Sequence, residues 1–207
     1  MSHAKNGRVL KVSRIEALTD GIFAIAMTIL VLNVNLPTHT TIKTLSYNLY
    51  KDVIHQLFVY AGSFIILATY WVGMNFQLGF LARSTRLYLW INILFLLSIC
   101  VVPFSASVLA SFPHMPISII FYATNLLCIS TIQLIMWMYA LHAGLNSEAA
   151  KIEGVSRSIY RRICVAPVFY AIAFLLAFHD TNLAFFILVA PPLIHIFPGA
   201  VDKLTDD

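Results

Sequence analysis

Six stretches of about 19 to 26 residues, nearly all apolar, follow one another along this chain: roughly 16–36, 53–76, 87–110, 117–142, 159–178 and 182–200. A helix needs about 20 such residues to cross a hydrocarbon core. Inside a bilayer the backbone must satisfy its own hydrogen bonds, so a chain patterned in this way folds as a bundle of membrane helices. Composition agrees: of 207 residues, 60% are apolar and 11% charged, against about 45–50% and about 25% in soluble domains. Mean hydropathy is +0.85. This balance excludes a soluble enzyme, a disordered chain and a secreted disulfide scaffold. Continuous apolar runs also argue against an outer-membrane barrel, whose strands alternate apolar and polar residues. The predicted fold is an all-α membrane protein of six transmembrane helices, forming one domain over 1–207 without internal repeats. The sixth span is short and holds Pro191, Pro192 and Pro198, which predicts a broken or tilted helix.

Cys100, Cys128 and Cys164 lie singly in apolar runs, without metal or redox spacing, and read as small buried hydrophobes. The net charge of +4 reads as membrane orientation and not as a nucleic-acid surface. With the N-terminus in the cytoplasm, the inner segments hold Lys5, Arg8, Lys11, Arg14, Arg83, Arg86, Lys151, Arg157, Arg161, Arg162 and Lys203; the outer ones hold only Lys43 and Lys51. Eleven basic residues against two place both termini in the cytoplasm. Residues 1–14 are polar and basic, and no cleavage site ends the apolar stretch that follows, so they do not read as a signal peptide. The cluster Lys151, Arg157, Arg161 and Arg162 is part of the orientation signal, with anionic lipid headgroups as a second reading.

The first span differs from the rest. It reads RIEALTDGIFAIAMTILVLNVNLP from Arg14 to Pro37 and carries Arg14, Glu16 and Asp20 to the membrane edge. Two readings are open for Asp20: an acid favoured by the dipole near a helix start, or an intramembrane charge kept for function. Arg14 and Asp20 stand six residues apart, about 240° around a helix, so partners on other helices are expected. Beyond them Ile25, Ile29 and Leu32 share one stripe, bordered by Thr28. Such a stripe is compatible with simple packing, and such a threonine with a bond back to its own backbone.

Arg14-x-x-x-Leu18-Thr19-Asp20, followed by GIFAIAMTILVL, resembles the signature of the transmembrane protein 175 family, potassium channels of lysosomes and prokaryotes. The family pattern is Arg-x-x-x-Phe-Ser-Asp; Leu18 stands for its Phe and Thr19 for its Ser. Leu89-Trp90-x-Asn92 with Pro103-Phe104 resembles the family's third helix, and Tyr70-Trp71 its aromatic–Trp pair on the second. Met74 and Asn75 replace the histidines that often follow that pair.

The resemblance, to a prokaryotic member, implies six helices per subunit and a homotetramer whose pore is lined by the first helix. Ile25 then matches the main hydrophobic constriction, Ile29 and Leu32 further apolar rings, and Thr28 a threonine of cation selectivity. Arg14, Leu18, Thr19, Asp20, Trp71, Trp90 and Asn92 make up a structural network holding that helix. Potassium ions are the permeant species, the lipid bilayer and further copies of the chain the partners, and the cell membrane the location; no cofactor or nucleic acid is implied.

The remaining polar residues of the spans (Gln56, Ser63, Thr69, Asn75, Ser98, Asn125, Thr131 and Gln133) are expected to bond between helices. Trp137 reads as an anchor or packing residue. The histidines show no metal-binding spacing, and no set of nucleophile, base and acid points to an enzyme. No TVGYG-like segment supplies carbonyl rings, and no arginine ladder supplies a voltage sensor. A transporter or exporter of small solutes is the alternative function, and a non-transporting scaffold or sensor a third.

Overall fold

The computed structural model describes residues 11–34, 53–113, 115–147 and 155–196. Residues 1–10 of the N-terminal basic segment, Lys43, Lys51, Lys151, Pro198, Lys203 and the acidic tail lie outside the described residues.

Six α-helices account for nearly all of these residues, and no strand occurs among them. Helix α1 spans Val12–Ile29 and tightens into a 3-10 turn at Leu30–Asn33. Helix α2 is Ile54–Gly79 and α3 is Arg86–Ser111. Helix α4 is Pro116–His142, α5 is Val155–Leu176 and α6 is Thr181–Ile196. Five are long and apolar enough to cross a membrane; the apolar part of α6, Thr181–Pro192, is shorter. The chain is a multi-pass membrane protein. Helix α6 continues through Pro191 and Pro192 without a break, although each proline removes one intrahelical bond.

Local chemistry sets the ends. The Thr85 hydroxyl accepts the Tyr88 N–H at 3.3 Å and caps α3. Oδ1 of Asp180 accepts the N–H groups of Asn182 and Leu183, at 2.9 and 3.1 Å, and caps α6. Pro116 starts α4, where a missing N–H costs nothing. Gly144, at φ 60°, ends it. There the Leu145 N–H reaches Ala140 O at 2.9 Å and the Gly144 N–H reaches Leu141 O at 3.2 Å, the paired bonds of a Schellman motif. Leu145 then holds the α2–α3 loop: its carbonyl accepts from the N–H groups of Ala82 and Arg83, while Ser147 N–H donates to Phe80 O at 2.8 Å. Two connections on the same end of the bundle are thereby locked together.

Helices α3 and α4 form the centre, with 44% and 50% of their apolar windows buried against 28% for α1 and 28% for α5. Helix α1 packs on α2 and α3; α5 packs on α4 and α6; and α6 also reaches α2. The core joins Phe23, Leu67, Phe95, Ile99, Ile119, Leu126 and Ile129. Several polar residues in the spans serve one of two uses. Ser63 bonds the Tyr122 hydroxyl at 2.9 Å, Asn125 bonds Ser105 at 3.1 Å, and the Tyr70 hydroxyl donates to Leu126 O at 3.1 Å, all between helices. Thr69, Asn75 and Ser98 instead donate to carbonyls of their own helix, against the expectation of interhelical bonding.

The cysteines correct another expectation. Cys100 and Cys128 are exposed and Cys164 is half-buried. In a membrane bundle the outer surface is itself apolar, so an apolar neighbourhood in sequence does not imply burial between helices.

Candidate functional site

Helix α1 has two faces of contrasting fate. Ile15, Thr19, Phe23 and Ala26, with Leu30 on the 3-10 turn, are buried; their spacing of three and four draws one stripe. Phe23 meets Phe95 of α3 at a ring separation of 6.1 Å. Away from this contact Ile25 is 56%, Ile29 42% and Leu32 74% exposed. At about 100° per residue these three fall within about 60° of one another. Leu18 joins the same side and is also exposed. The bundle therefore buries one side of α1 and leaves a row of large apolar side chains uncovered on the other.

Thr28 lies beside that row and is exposed. Its Oγ1 is 3.0 Å from Ala24 O and 2.9 Å from Ile25 O. A hydroxyl has one proton and two lone pairs. The proton is turned toward the backbone, so the oxygen presents lone pairs, the polarity suited to a cation.

Asp20 sits about two helical turns before Thr28, and its Oδ1 accepts a hydrogen bond from Trp71 Nε1 of α2 at 2.8 Å. This is a charge-assisted bond between two helices. Asn75, one turn along α2, donates its Nδ2 to Trp71 O at 3.1 Å. Arg14 is exposed and forms no ion pair among the described residues, so the partner on another helix expected for both residues is seen for Asp20 and not for Arg14. Among the described residues, Thr19 is buried with its hydroxyl unpartnered, and Asn92 of α3 is buried with Oδ1 unpartnered. Trp90, two residues before Asn92, is 56% exposed on the outer surface of α3. The motif residues thus divide: Asp20 and Trp71 meet directly, Thr19 and Asn92 enter the interior, and Arg14, Leu18 and Trp90 stay on the surface.

One contact lay outside the sequence reading. Asn33, on the 3-10 turn closing α1, donates Nδ2 to Pro103 O of α3 at 2.7 Å. A polar residue ending an apolar helix was the available signal, but it names no partner 70 residues away.

A family model described as the endosomal/lysosomal potassium channel TMEM175 matches residues 14–103, from Arg14 of the α1 motif to Pro103 of α3. A potassium channel of Chamaesiphon minutus is 29% identical over 170 residues, 80% of this chain and 83% of the relative. A potassium channel of Streptomyces collinus is 30% identical over 99 residues, 48% of each chain. The crystal structure of a lysosomal potassium-selective channel TMEM175 homolog from Chamaesiphon minutus superposes with a TM-score of 0.79 at 26% identity, covering 89% of this chain and 96% of that one. A variant of the potassium channel MtTMEM175, crystallised with a nanobody–MBP fusion, shares the fold, with a TM-score of 0.62 at 17% identity over 100% of this chain and 98% of its own. The motif of α1, the α1–α3 packing and these likenesses agree in pointing to the TMEM175 family: its model matches residues 14–103, and the likeness to a TMEM175 homolog extends over 89% of this chain.

Proposed function

We propose that this protein is a potassium channel: a homotetramer in the plasma membrane, potassium-selective and leak-type, with α1 of each subunit lining a central pore. Ile25, Ile29 and Leu32 are its hydrophobic constriction and Thr28 its selectivity residue. The observation that carries this reading is the uncovered apolar row on α1, on a helix whose opposite side is packed into the bundle and bonded at Asp20. One such helix encloses no aqueous path, whereas four copies facing one axis do. A ring of isoleucines closes such a path by dewetting or by steric contact. The outward lone pairs of Thr28 support a role in replacing part of a cation's water shell. Relatives that are potassium channels support potassium as the ion.

In this reading the chain is one six-helix domain, α6 completing the sixth crossing, with both termini in the cytoplasm as the basic residues direct. Arg14, Leu18, Thr19, Asp20, Trp71, Trp90 and Asn92 orient α1 and do not coordinate the ion. No catalytic residue or cofactor enters the scheme.

The test is reconstitution of the purified protein into liposomes carrying a potassium gradient, with the oligomer mass measured on the same sample. A channel gives potassium flux and unitary currents from a particle of four chains. Flux that saturates at carrier-like turnover identifies a secondary transporter instead.

A further inference from the structure

A cavity of about 570 Å³ lies between α2, α4, α5 and α6, away from the exposed row of α1. That volume is within the range of about 300–1,000 Å³ typical of small-molecule sites. Along α2 the lining runs from Phe64 to Phe76, about 18 Å of helix at 1.5 Å per residue. The cavity is therefore elongated along the membrane-crossing direction, and its walls are mostly aliphatic and aromatic. Phe64, Ile65 and Val72 line it and are also exposed on the outer surface of the protein, so it opens sideways, where a bilayer places acyl chains.

Charge is confined to one end. Arg162 of α5 lines the cavity, and its guanidinium carbon is 6.0 Å from the centre of the Phe76 ring, within range of a cation–π contact. Arg161 beside it is exposed. A long apolar slot with guanidinium at its end matches a molecule with an alkyl chain and an anionic head. Arginine also suits phosphate, which it engages through a planar fork of donors. Such a site depends on the membrane setting and the cavity, and not on ion conduction.

We propose that this cavity is a binding site for an anionic phospholipid, with an acyl chain along α2 and α5 and the phosphate at Arg162.

The test is native mass spectrometry of the intact purified protein mixed with phosphatidylglycerol or phosphatidylcholine. Phosphatidylglycerol should be retained about tenfold more strongly, the equivalent of one charge-assisted contact. Arg162→Gln should remove that preference and Arg162→Lys should keep most of it. Ala68→Phe, which places a ring in the slot, should lower retention of both lipids several-fold. If that variant does not fold, Ala166→Leu on the α5 wall serves the same purpose. Soluble glycerol phosphate, a head without a chain, should not compete. Equal retention of the two lipids, an unchanged preference in Arg162→Gln, or unchanged retention in a folded slot-filling variant overturns the proposal. So does competition by glycerol phosphate, or a photo-cross-linker at Ile65 that captures a second protomer in place of lipid. None of these readouts depends on potassium flux, so failure here is distinct from failure of the channel reading.

Discussion

The indole Nε1 of Trp71 donates to Oδ1 of Asp20 at 2.8 Å, and this bond ties α1 to α2 near the start of a helix whose far side carries the exposed row of Ile25, Ile29 and Leu32. It explains why an aspartate and a tryptophan belong to one motif although 51 positions separate them. Hydrogen bonds to charged groups contribute about 1.5–3 kcal/mol, and both residues here are exposed, which moves the value to the low end or below. Trp71→Phe and Asp20→Asn should each lower the melting temperature in detergent. Their double-mutant cycle should return a coupling of about 1 kcal/mol. Additive effects would show that the bond contributes nothing to holding the helix. Asp20→Ala should reduce the yield of assembled protein more than it alters ion selectivity in what survives; a stable tetramer with changed selectivity would transfer Asp20 to the ion path.

Ile25 is the test of the constriction. In the proposed pore Ile25 forms the main apolar ring, and asparagine there would wet it, so Ile25→Asn should raise single-channel conductance or open time in planar bilayers. Unchanged currents from a well-folded variant would remove Ile25 from the gate.

Thr28→Ala deletes the oxygen whose lone pairs face outward but leaves the apolar row intact. The potassium preference should fall, seen as a shift of reversal potential under mixed potassium and sodium, with little loss of stability because the hydroxyl bonds only within its own helix. An unaltered reversal potential would assign Thr28 to packing alone.

Asn33→Ala removes the bond to Pro103 O at 2.7 Å, which holds the 3-10 end of α1 against α3. The expected cost is about 1 kcal/mol. Because Leu32 is the neighbouring residue, leak current should also become noisier. A variant with native melting temperature and native current would mean the contact is dispensable.

Gly144→Ala places a side chain at φ 60°, where an L-residue costs about 1–2 kcal/mol. The turn also positions Leu145 O for Ala82 and Arg83, so the loss should appear as a lower melting temperature. The backbone bonds of this turn join it to α4 and to the α2–α3 loop and not to α1, and the selectivity of the folded protein should be unchanged.

Much of the fold was legible beforehand, for a physical reason. Lipid tolerates no unsatisfied backbone, so apolar runs translate almost directly into helices: expected spans at 87–110 and 117–142 stand beside Arg86–Ser111 and Pro116–His142. Helix α1 starts earlier than its apolar stretch, at Val12, because hydropathy marks the hydrocarbon boundary and not the end of a helix that continues into the polar interface. Thr28's bond to its own helix was legible too, since it needs only neighbours three and four residues back.

Sidedness was not legible, because lipid-facing and helix-facing surfaces are both apolar. Cys100 and Cys128 therefore read as buried and are exposed. The grouping of Ile25, Ile29 and Leu32 followed from helical period alone, but periodicity is silent on which side of α1 the bundle covers. Local spacing along the chain determined the helices, the α1 motif and that shared stripe. Only the tertiary structure, which brings Trp71 to Asp20 and Pro103 to Asn33 across the bundle, decided which face of α1 is held and which is left open, since pairings between distant segments depend on how helices pack and leave no periodic trace in the chain.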